Sequence, residues 1–507
     1  MRIEITNPQG INADLPAYEL GNETWSSGNN VHFRSLGTSK ADGYGQVFGT
    51  LSGSPYFHMP WTDFNNLFWF YADNTNIYRT DGTSHVSVGS GYNAAFEGGW
   101  TGSSFNGVAI FNNGVDAPQW YDPSTGLAGD LTAWPASTSA SVVRPYKNYL
   151  IAMDITKAAG AYPVMVKWSD SSDAGGVPQS WDEADPATQA GENILPDSLG
   201  RIVDGLALND TFFIYKQDSI WAMAFIGGNS IFSFRKVFND TGVLGRDCVV
   251  EFEGRHFVIG RGDIYVHDGN TKQSVASRVV KNEIFSNTNQ DFTSRIKCVT
   301  DSSTKEIWVY YPSKDSLDGT ADKAWVWNWE SNTWSPRQIS NIAHITTGPL
   351  DPNTDEDWNS DNNGWNSDSS KWGERDFITT ESKVVLLNMT GKKMYQANFT
   401  NNIDGVPYTS FVERVGLDFG DDQRFKFVSE IVPHLSGEGV VRVYVGSETH
   451  QGSGVRWNAG MDFTIGTDYR STCRVNGRYI AVRFESIGES SWELSGYSLE
   501  YQNKGRQ

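Results

Sequence analysis

Short apolar stretches separated by polar turns run through the chain, and RIVDGLALNDTFFIYKQDSIWAMAF (201–225) shows this pattern most clearly. Ile202 to Leu208, Thr211 to Lys216 and Ser219 to Phe225 are each rich in β-branched and aromatic residues. The dipeptides Asn-Asp and Gln-Asp separate them, and two-residue polar turns of this kind join antiparallel strands. We therefore predict three consecutive strands of an up-and-down meander.

The same cadence recurs along the chain, and the predicted strands fall into seven units. They are residues 67–72, 76–80 and 86–88; 107–111 and 118–121; 142–143, 149–154 and 163–168; 202–208, 211–216, 219–225 and 231–234; 249–252, 256–259, 263–267 and 274–276; 295–299, 306–311, 324–329 and 333–336; and 342–346, 383–388 and 393–398. In four units an aromatic residue holds the equivalent place, namely Tyr78, Tyr265, Trp327 and Tyr395. Repeats of three or four strands predict an all-β chain with a β-propeller of about six to seven blades. A set of β-sandwiches is the alternative.

The rhythm changes at both ends of the chain and at two insertions. Seven predicted strands of steady length fill residues 406–507, which is the pattern of a C-terminal β-sandwich domain. Residues 1–50 contain one predicted strand and an irregular segment, which we expect to join a propeller spanning residues 51–405. Residues 169–199 and 351–376 are rich in Asp, Gly and Ser and are predicted to be long loops.

The composition supports the all-β prediction and makes nucleic acid a poor candidate for a tightly bound partner. The chain has 51 Gly and 13% aromatic residues, and Ser277 to Ser286 is the best candidate for a short helix. The 40 Lys and Arg against 60 Asp and Glu give a formal charge of −20, which argues against tight, charge-driven binding to nucleic acid. An acidic wall would repel phosphate and let DNA slide past, although acidic charge also serves simple solubility.

Cysteine usage and hydropathy point to a protein made and folded in a cytoplasm. Cys248, Cys298 and Cys473 are far apart, without the CxxC spacing that indicates zinc, and their apolar surroundings predict buried, reduced thiols. The N-terminus has no apolar stretch typical of a signal peptide, and no segment is long enough to span a membrane.

No catalytic signature occurs in the sequence, so we expect neither an enzymatic activity nor a cofactor. The 8 His residues are scattered singly, and most carboxylates lie in predicted turns, where Asp bonds to its own backbone. SSDAGG (171–176) resembles the Asp-box of sialidase-type propellers but has Pro178 in place of the aromatic residue. Arg261-Gly262-Asp263 is predicted to be a plain hairpin turn. Residues 351–363 carry Asp and Asn at alternate positions, which leaves a bound Ca²⁺ open.

The second insertion contains the doublet WNSDNNG and WNSDSSK, followed by a third Trp. Asn, Ser, Asp and Gly between the rings do not favour a helix, so we predict tight turns that bring Trp358, Trp365 and Trp372 close together. Exposed Trp is costly unless a partner covers it. These three residues, with Trp181 of the first insertion, are the candidate intersubunit or partner contacts.

The order of several motifs gives the chain a resemblance to a known family. The motifs are FNNGVDAPQWYD (111–122), YPVMVKWSD (162–170), LNDTFFIYKQDSIWAM (208–223), VIGRGDIYVHDG (258–269), EIWVYYPS (306–313), WNWESNTWS (327–335) and WELSGYSLEYQNKGR (492–506). In this order they resemble the tail hub or nozzle proteins of tailed bacteriophages, also called packaged-DNA stabilization or tail tubular proteins. The resemblance covers nearly the whole chain, and its specificity lies in the order of motifs that are individually weak.

The resemblance implies a structural protein of the virion tail, made in the host cytoplasm, without enzymatic activity. It implies a ring, expected to be a hexamer, around the DNA exit channel that retains packaged DNA and conducts it on ejection. The expected partners are other copies of the chain, a portal, adaptor or neck protein above the ring, and tail fibres or tail tip proteins. Packaged DNA would pass through the channel without sequence-specific binding.

A carbohydrate-binding or glycan-cleaving propeller on a host-recognition device is the alternative function. It predicts a cleft with stacked aromatic rings and a pair of carboxylates. The 19 Trp residues keep this alternative open, whereas the lack of repeated Asp-boxes favours the tail hub.

Overall fold

The structure is a computed structural model. It describes residues 1–34, 37–63, 66–96, 99–196, 198, 200–350 and 381–505. Strands dominate the described residues, with one α-helix, α1, at Arg278–Asn287 and short 3₁₀ turns at Ala17–Glu19, Gly228–Ser230 and Gln290–Arg295. The chain is therefore all-β, as predicted.

The strands of the N-terminal part and the first blades come first in chain order. They are β1 Arg2–Thr6, β2 Ser27–Asn29, β3 Val31–Arg34, β4 Gly37–Lys40, β5 Tyr44–Val47, β6 Phe57–Thr62, β7 Leu67–Ala72, β8 Asn76–Thr80, β9 His85–Ser90, β10 Thr101–Phe105, β11 Val108–Asn112, β12 Gln119–Asp122, β13 Leu127–Asp130, β14 Ser139–Tyr146, β15 Tyr149–Lys157, β16 Gly160–Trp168, β17 Gly191–Ile194, β18 Ile202–Leu208, β19 Thr211–Lys216, β20 Ser219–Phe225 and β21 Phe232–Asn239.

The remaining strands complete the blades and form the C-terminal part. They are β22 Val249–Phe252, β23 Arg255–Ile259, β24 Ile264–His267, β25 Lys272–Ser274, β26 Lys297–Asp301, β27 Glu306–Tyr311, β28 Ala321–Asn328, β29 Thr333–Gly348, β30 Lys383–Asn388, β31 Lys393–Ala397, β32 Phe411–Leu417, β33 Lys426–Glu448, β34 Arg456–Trp457, β35 Met461–Thr464, β36 Ser471–Gly477 and β37 Tyr479–Asn503.

Seven antiparallel blades form a β-propeller. Five are separate four-stranded sheets, which start at β6, β10, β14, β18 and β22. The last two share one seven-stranded sheet, because the long strand β29 pairs with β28 through its first half and with β30 through its second half. The first strand of each blade lies against the first strand of the next, and the second half of β29 lies against β6, so the ring closes.

The N-terminal part of the chain completes the seventh blade. β5 is the outermost strand of that blade and pairs with β31, Tyr44 opposite Ala397 and Val47 opposite Met394. The Tyr44 side chain is 6% exposed and packs on Tyr395 with ring centroids 5.0 Å apart. The first and last parts of the propeller sequence are thus joined by backbone hydrogen bonds in one sheet.

A second body is built from the C-terminal strands together with β1 to β4. β33 and β37 pair along their whole length, and register shifts between His434 and Leu435 and between Glu438 and Val440 bend this ladder. One half of the ladder carries β1 and β36 at its edges and the other half carries β32 and β35, around one shared core. At the bend only Gly fits at position 437, because its φ is +112° and a Cβ would lie 2.3 Å from the Ser491 carbonyl oxygen.

The N-terminal segment attaches this sandwich to the propeller. Asp14 accepts hydrogen bonds from the first two backbone N–H groups of α1, of Arg278 at 3.0 Å and Val279 at 2.7 Å. A carboxylate there is favourable, because the N-terminus of a helix carries unsatisfied donors and partial positive charge. The buried His32 of β3 lies 2.6 Å from a Glu306 carboxylate oxygen of blade six.

Several strands lie where the sequence predicts them. The three strands of residues 202–225 have the predicted bounds, and α1 lies within one residue of its predicted position. Tyr78, Tyr265, Trp327 and Tyr395 all lie on the third strand of their blades, as their equivalent spacing indicates.

Other elements differ from the prediction. The first strands of blades one and two, β6 and β10, were not predicted, because Pro60 interrupts FHMPWT and TGSSF has little apolar character. The predicted loop 169–199 contains β17, the fourth strand of blade three. Within residues 1–50, β5 belongs to the sheet of blade seven, whereas β1 to β4 belong to the sheet of the C-terminal sandwich.

Tyr44→Ala tests the closing strand. It removes a buried aromatic side chain, so we expect the free energy of unfolding to fall by about 3 kcal/mol. Gln46→Ala is the matched control, because Gln46 lies on the same strand with an exposed side chain and should change the value by less than about 0.5 kcal/mol. Urea denaturation followed by tryptophan fluorescence measures both variants. Equal stability of the two would contradict a stabilising role of this strand.

Candidate functional site

The first strands of the blades surround a cavity on the propeller axis. Its volume is about 340 Å³, and it is lined from the first strands and the segments that precede them, including His58, Arg144, Asp204, Asp247 and His344. Each of these five side chains comes from a different blade or the segment leading into it. Charged and polar side chains that converge in one cavity make it a candidate functional site.

Ion pairs join blades three, four and five beside the axis. Arg144 Nε donates to Asp204 Oδ1 at 2.8 Å, and its Nη2 donates to Asp204 Oδ2 at 2.9 Å and to Asp247 Oδ1 at 2.8 Å. The backbone N–H of Asp247 also donates to Asp204 Oδ2 at 2.8 Å, and Lys297 Nζ donates to Asp247 Oδ2 at 2.9 Å. We call Arg144, Asp204, Asp247 and Lys297 the axial charge cluster.

The charges in this cluster stabilise one another. Burial acts to lower the pKa of Arg144, but the carboxylates of Asp204 and Asp247 outweigh burial and raise it. Burial acts to raise the pKa of Asp247, but Lys297 and Arg144 hold it well below its usual range. Buried charges are tolerated when each is paired and hydrogen-bonded. The cluster therefore connects four consecutive blades, from blade three to blade six.

Two neutral histidines continue the polar lining on the opposite side of the cavity. His58 Nε2 lies 3.1 Å from the Val385 carbonyl oxygen, and His58 Nδ1 lies 3.1 Å from His344 Nδ1. Since a carbonyl only accepts, His58 carries its proton on Nε2, and His344 then donates from Nδ1. Burial lowers the pKa of His58 to about 3 and, together with the positive charge of Lys297, lowers that of His344 well below its ordinary value.

The thiols near the axis are inert. Burial raises the pKa of Cys248 and of Cys298, and neither thiol forms a disulfide. Cys473, in the core of the sandwich, is also buried and forms no disulfide. A thiol that stays protonated is a poor nucleophile. Within the part of the chain that the structure describes, no group of three or more His, Cys, Asp or Glu side chains is arranged to hold a metal ion. The axial residues as they stand form interblade contacts rather than a nucleophile paired with a base.

A second buried polar site joins blades four and five. Tyr215 Oη lies 2.6 Å from His256 Nδ1 and 2.7 Å from His267 Nε2. His256 Nε2 faces the Ala207 carbonyl at 3.0 Å, and the Gly269 N–H donates to His267 Nδ1 at 3.1 Å. One pair of neutral tautomers satisfies every group: His267 donates to Tyr215, which donates to His256. Burial lowers the pKa of His256 to about 4 and of His267 to about 3.

The candidate contact residues from the sequence lie apart from these sites. Trp358, Trp365 and Trp372 lie outside the described residues, as does the segment that left Ca²⁺ open. Trp181 is 1% exposed, and its ring packs edge-to-face on Trp134 with centroids 4.7 Å apart. Its indole therefore belongs to the core of its own subunit and is not presented to a partner.

The first insertion folds onto blade three. The buried Lys167 pairs with Glu183 of the insertion, and with Glu192 of β17 at 3.5 Å. Residues 169–199 are thus tied to their own blade through charge pairs and Trp181. The axial charge cluster was not predicted from the sequence. The sequence contains one trace of it, a polar residue near the start of several first strands, such as Asp204 in β18 and Lys297 in β26.

Comparisons with known proteins leave the family open. No family model matches the sequence, and no curated protein matches it. Among solved structures, the chain is similar to BBS1N, crystallised in complex with ARL6DN, with a TM-score of 0.40 and 9% identity over 70% of this chain and 96% of that chain. Similarity at this level carries no argument about this chain. Across the described ranges, the search for a helix long and apolar enough to cross a membrane finds none.

Arg144→Met tests the axial charge cluster. It leaves the buried carboxylate of Asp204 without its cation and removes one of the two cations bound to Asp247, so we expect the free energy of unfolding to fall by about 3 kcal/mol. Arg144→Lys keeps the charge but loses the fork that reaches both carboxylates, and we expect a smaller loss. Chemical denaturation of both variants measures this order. A Met variant as stable as the wild type would show that the cluster does not hold the blades.

Four of the buried histidines, His58, His256, His267 and His344, predict a loss of stability in weak acid. Their folded pKa values lie below the unfolded value of about 6.5, so the unfolded chain binds more protons as the pH falls. Their full contribution is present above about pH 6.5 and is lost toward the folded values of about 4 for His256 and about 3 for His58 and His267. Each contributes up to about 1.4 kcal/mol per pH unit in that window.

Denaturation at pH 7 and at pH 5 measures this effect. We expect His256→Gln, which keeps one donor and one acceptor, to reduce the difference between the two pH values by about 1 to 2 kcal/mol. His450→Gln is the control, because His450 is exposed and its loss should leave the difference unchanged. A wild-type protein equally stable at both pH values would refute the assignment of neutral buried histidines.

Proposed function

We propose that this protein is a structural subunit of the tail of a bacteriophage virion, a hub or nozzle that assembles into a ring around the DNA exit channel. In this role it retains packaged DNA, conducts it on ejection and offers a platform for tail fibres. The order of motifs along nearly the whole chain is the observation that carries the proposal. The resemblance implies a β-propeller, and this chain contains one, together with the sandwich that the strand pattern of residues 406–507 predicts.

The small size of the axial cavity supports a DNA channel that lies between subunits and not along the propeller axis of one subunit. The axial cavity is about 340 Å³, at the small end of ligand pockets, which span about 300 to 1,000 Å³. Arg144 lines it and binds Asp204 and Asp247. Duplex DNA, whose major groove alone is about 12 Å wide, does not fit such a space. A ring of several copies provides the larger opening.

The distribution of charge supports passage of DNA without retention by the channel wall. Residues 1–405 contain 29 Lys and Arg against 47 Asp and Glu, whereas residues 406–507 contain 11 against 13. The acidic excess therefore belongs to the part of the chain that includes the propeller. An acidic surface repels phosphate and lacks the clustered cations that hold DNA by releasing counterions.

Exposed apolar side chains beside the closing strand are candidate contacts between subunits. Phe399 is 57% exposed and Val406 is 64% exposed, in the segment that follows β31 and hydrogen-bonds to Gly43 just before β5. Exposed apolar groups of this kind gain most when a neighbouring subunit covers them. Their position at the outer edge of blade seven fits a contact made around the rim of the propeller.

Native mass spectrometry and negative-stain images of the purified protein test the proposal. We expect a symmetric ring with a central hole wide enough for duplex DNA, formed alone or on addition of the neck platform. The triple variant Trp358→Ala, Trp365→Ala, Trp372→Ala should lower ring assembly and leave the folding of the single subunit intact, because the lost rings are partner contacts in this proposal.

Ser360→Ala, Ser367→Ala, Ser369→Ala is the matched control, since it changes three small polar residues of the same segment. Circular dichroism and denaturation of the subunit separate assembly from folding. Unchanged assembly of the triple Trp variant would contradict the role of these rings. A subunit that remains single with and without its neck partner would contradict the ring.

A further inference from the structure

An open cavity lies at the end of blade two, away from the propeller axis. Its volume is about 550 Å³, within the range of ligand pockets, and it is formed by residues 130–139 together with Val115 and Ala117. These residues lead from the last strand of blade two, β13, into the first strand of blade three, β14. The cavity therefore has a rigid strand on each side and a loop across it.

The loop is held in an unusual backbone conformation. Ala133 and Ser137 both have positive φ, +55° and +53°, which non-glycine residues seldom adopt. Local contacts maintain it: the Leu131 N–H donates to the Pro118 carbonyl at 2.7 Å, and Trp134 Nε1 donates to the Thr138 carbonyl at 2.7 Å. Such a conformation costs about 1 to 3 kcal/mol at each residue, and it persists because the surrounding contacts offset that cost.

One wall of the cavity is apolar. Trp134 lines it, and its ring packs edge-to-face on the buried Trp181. Because the indole N–H already bonds to Thr138, the surface that the ring adds to the cavity is carbon. Pro135 and Val115 extend this wall, and Val115 is 53% exposed. A flat, rigid apolar surface of this type binds the apolar face of a ligand with little loss of entropy.

The polar groups of the cavity face solvent, and the described residues leave part of their hydrogen-bonding capacity unused. Asp130 Oδ1 accepts from Gln119 Nε2 at 2.7 Å, and this is its one hydrogen bond to the described residues. Its second carboxylate oxygen has no partner among those residues, and neither do the hydroxyls of Ser137 and Ser139. Gln119 is buried and is itself fixed by the Ala117 carbonyl at 2.7 Å, so Asp130 is held in place.

The lining selects the charge and the chemistry of a ligand. It includes one carboxylate and no Lys, Arg or His, in a chain with a charge of −20, so an anionic ligand is disfavoured. Hydroxyl groups both donate and accept, and they match a ligand whose own groups do both. An ammonium group has donors only, so it would pair with Asp130 but leave the donor protons of Ser137 and Ser139 unused.

We propose that this cavity binds a neutral sugar, with one face of a pyranose ring on Trp134 and its hydroxyls on Asp130, Ser137 and Ser139. This proposal does not depend on the ring assembly, because all of these residues belong to one subunit. It gives the molecule a binding activity toward glycans that needs no catalytic carboxylate pair.

Saturation-transfer NMR and calorimetry on the full-length protein test the proposal. The probes are the methyl glycosides of glucose, galactose, mannose and N-acetylglucosamine and their oligosaccharides, with sialic acid and choline as charged counter-probes. We expect at least one neutral probe to bind. Asp130→Asn and Ser139→Ala should each weaken that binding by about fivefold to tenfold, the usual effect of one lost hydrogen bond.

Ser137→Gly separates binding from folding. Glycine accepts a φ of +53° without strain, so this variant removes a hydroxyl while leaving the loop at least as stable. We expect it to weaken binding by a similar factor. Asp315→Asn is the control, because this exposed carboxylate lies on blade six and should leave binding unchanged. Absence of binding to every neutral probe, tighter binding of sialic acid or choline, or binding unaffected by all three cavity variants would each overturn the proposal.

Discussion

The structure depends on closing a ring of seven blades, since each blade buries its faces only against its two neighbours. In this chain the closure is made by backbone pairing of β5 with β31, strands that lie far apart in the sequence. Loop-closure entropy opposes such a contact, so its stability depends on the packing that it completes. The second half of β29 reinforces it, because this one strand ends blade six, begins blade seven and lies against β6 of blade one.

Closure also explains the position of the sandwich. The segment that precedes β5 belongs to the sandwich, because β1 and β4 both pair with β37. The N-terminal and C-terminal strands are therefore paired in one sheet. Asp14 connects this sheet to α1, and His32 connects it to blade six. Unfolding of either body removes strands or contacts from the other. We therefore expect the two to behave as one mechanical unit.

The sequence reveals local structure well and distant pairing poorly. Residues 202–225 were predicted correctly because two-residue turns fix both ends of each strand, and the third-strand aromatics, such as Tyr265, repeat at a constant place in the blade. The roles of β1 to β5 were only partly predicted, because nothing local in a five-residue strand identifies a partner near the other end of the chain. The axial charge cluster was missed for the same reason. Arg144 and Asp247 are ordinary polar residues in the sequence and become a site only when the blades meet.

The polar side chains at the axis of the propeller differ from those at its rim in how fully the protein itself satisfies their hydrogen bonds. At the axis, Arg144 is bonded to two carboxylates, and the adjoining histidines are neutral and paired with each other. Polar groups that satisfy one another hold blades together and leave little capacity for a ligand. At the rim, Asp130 and the serines beside Trp134 have hydrogen bonds to spare, on a loop kept strained by its own contacts. Binding therefore belongs to the connections between blades, where side chains are free to face other molecules, and stability belongs to the first strands that surround the axis.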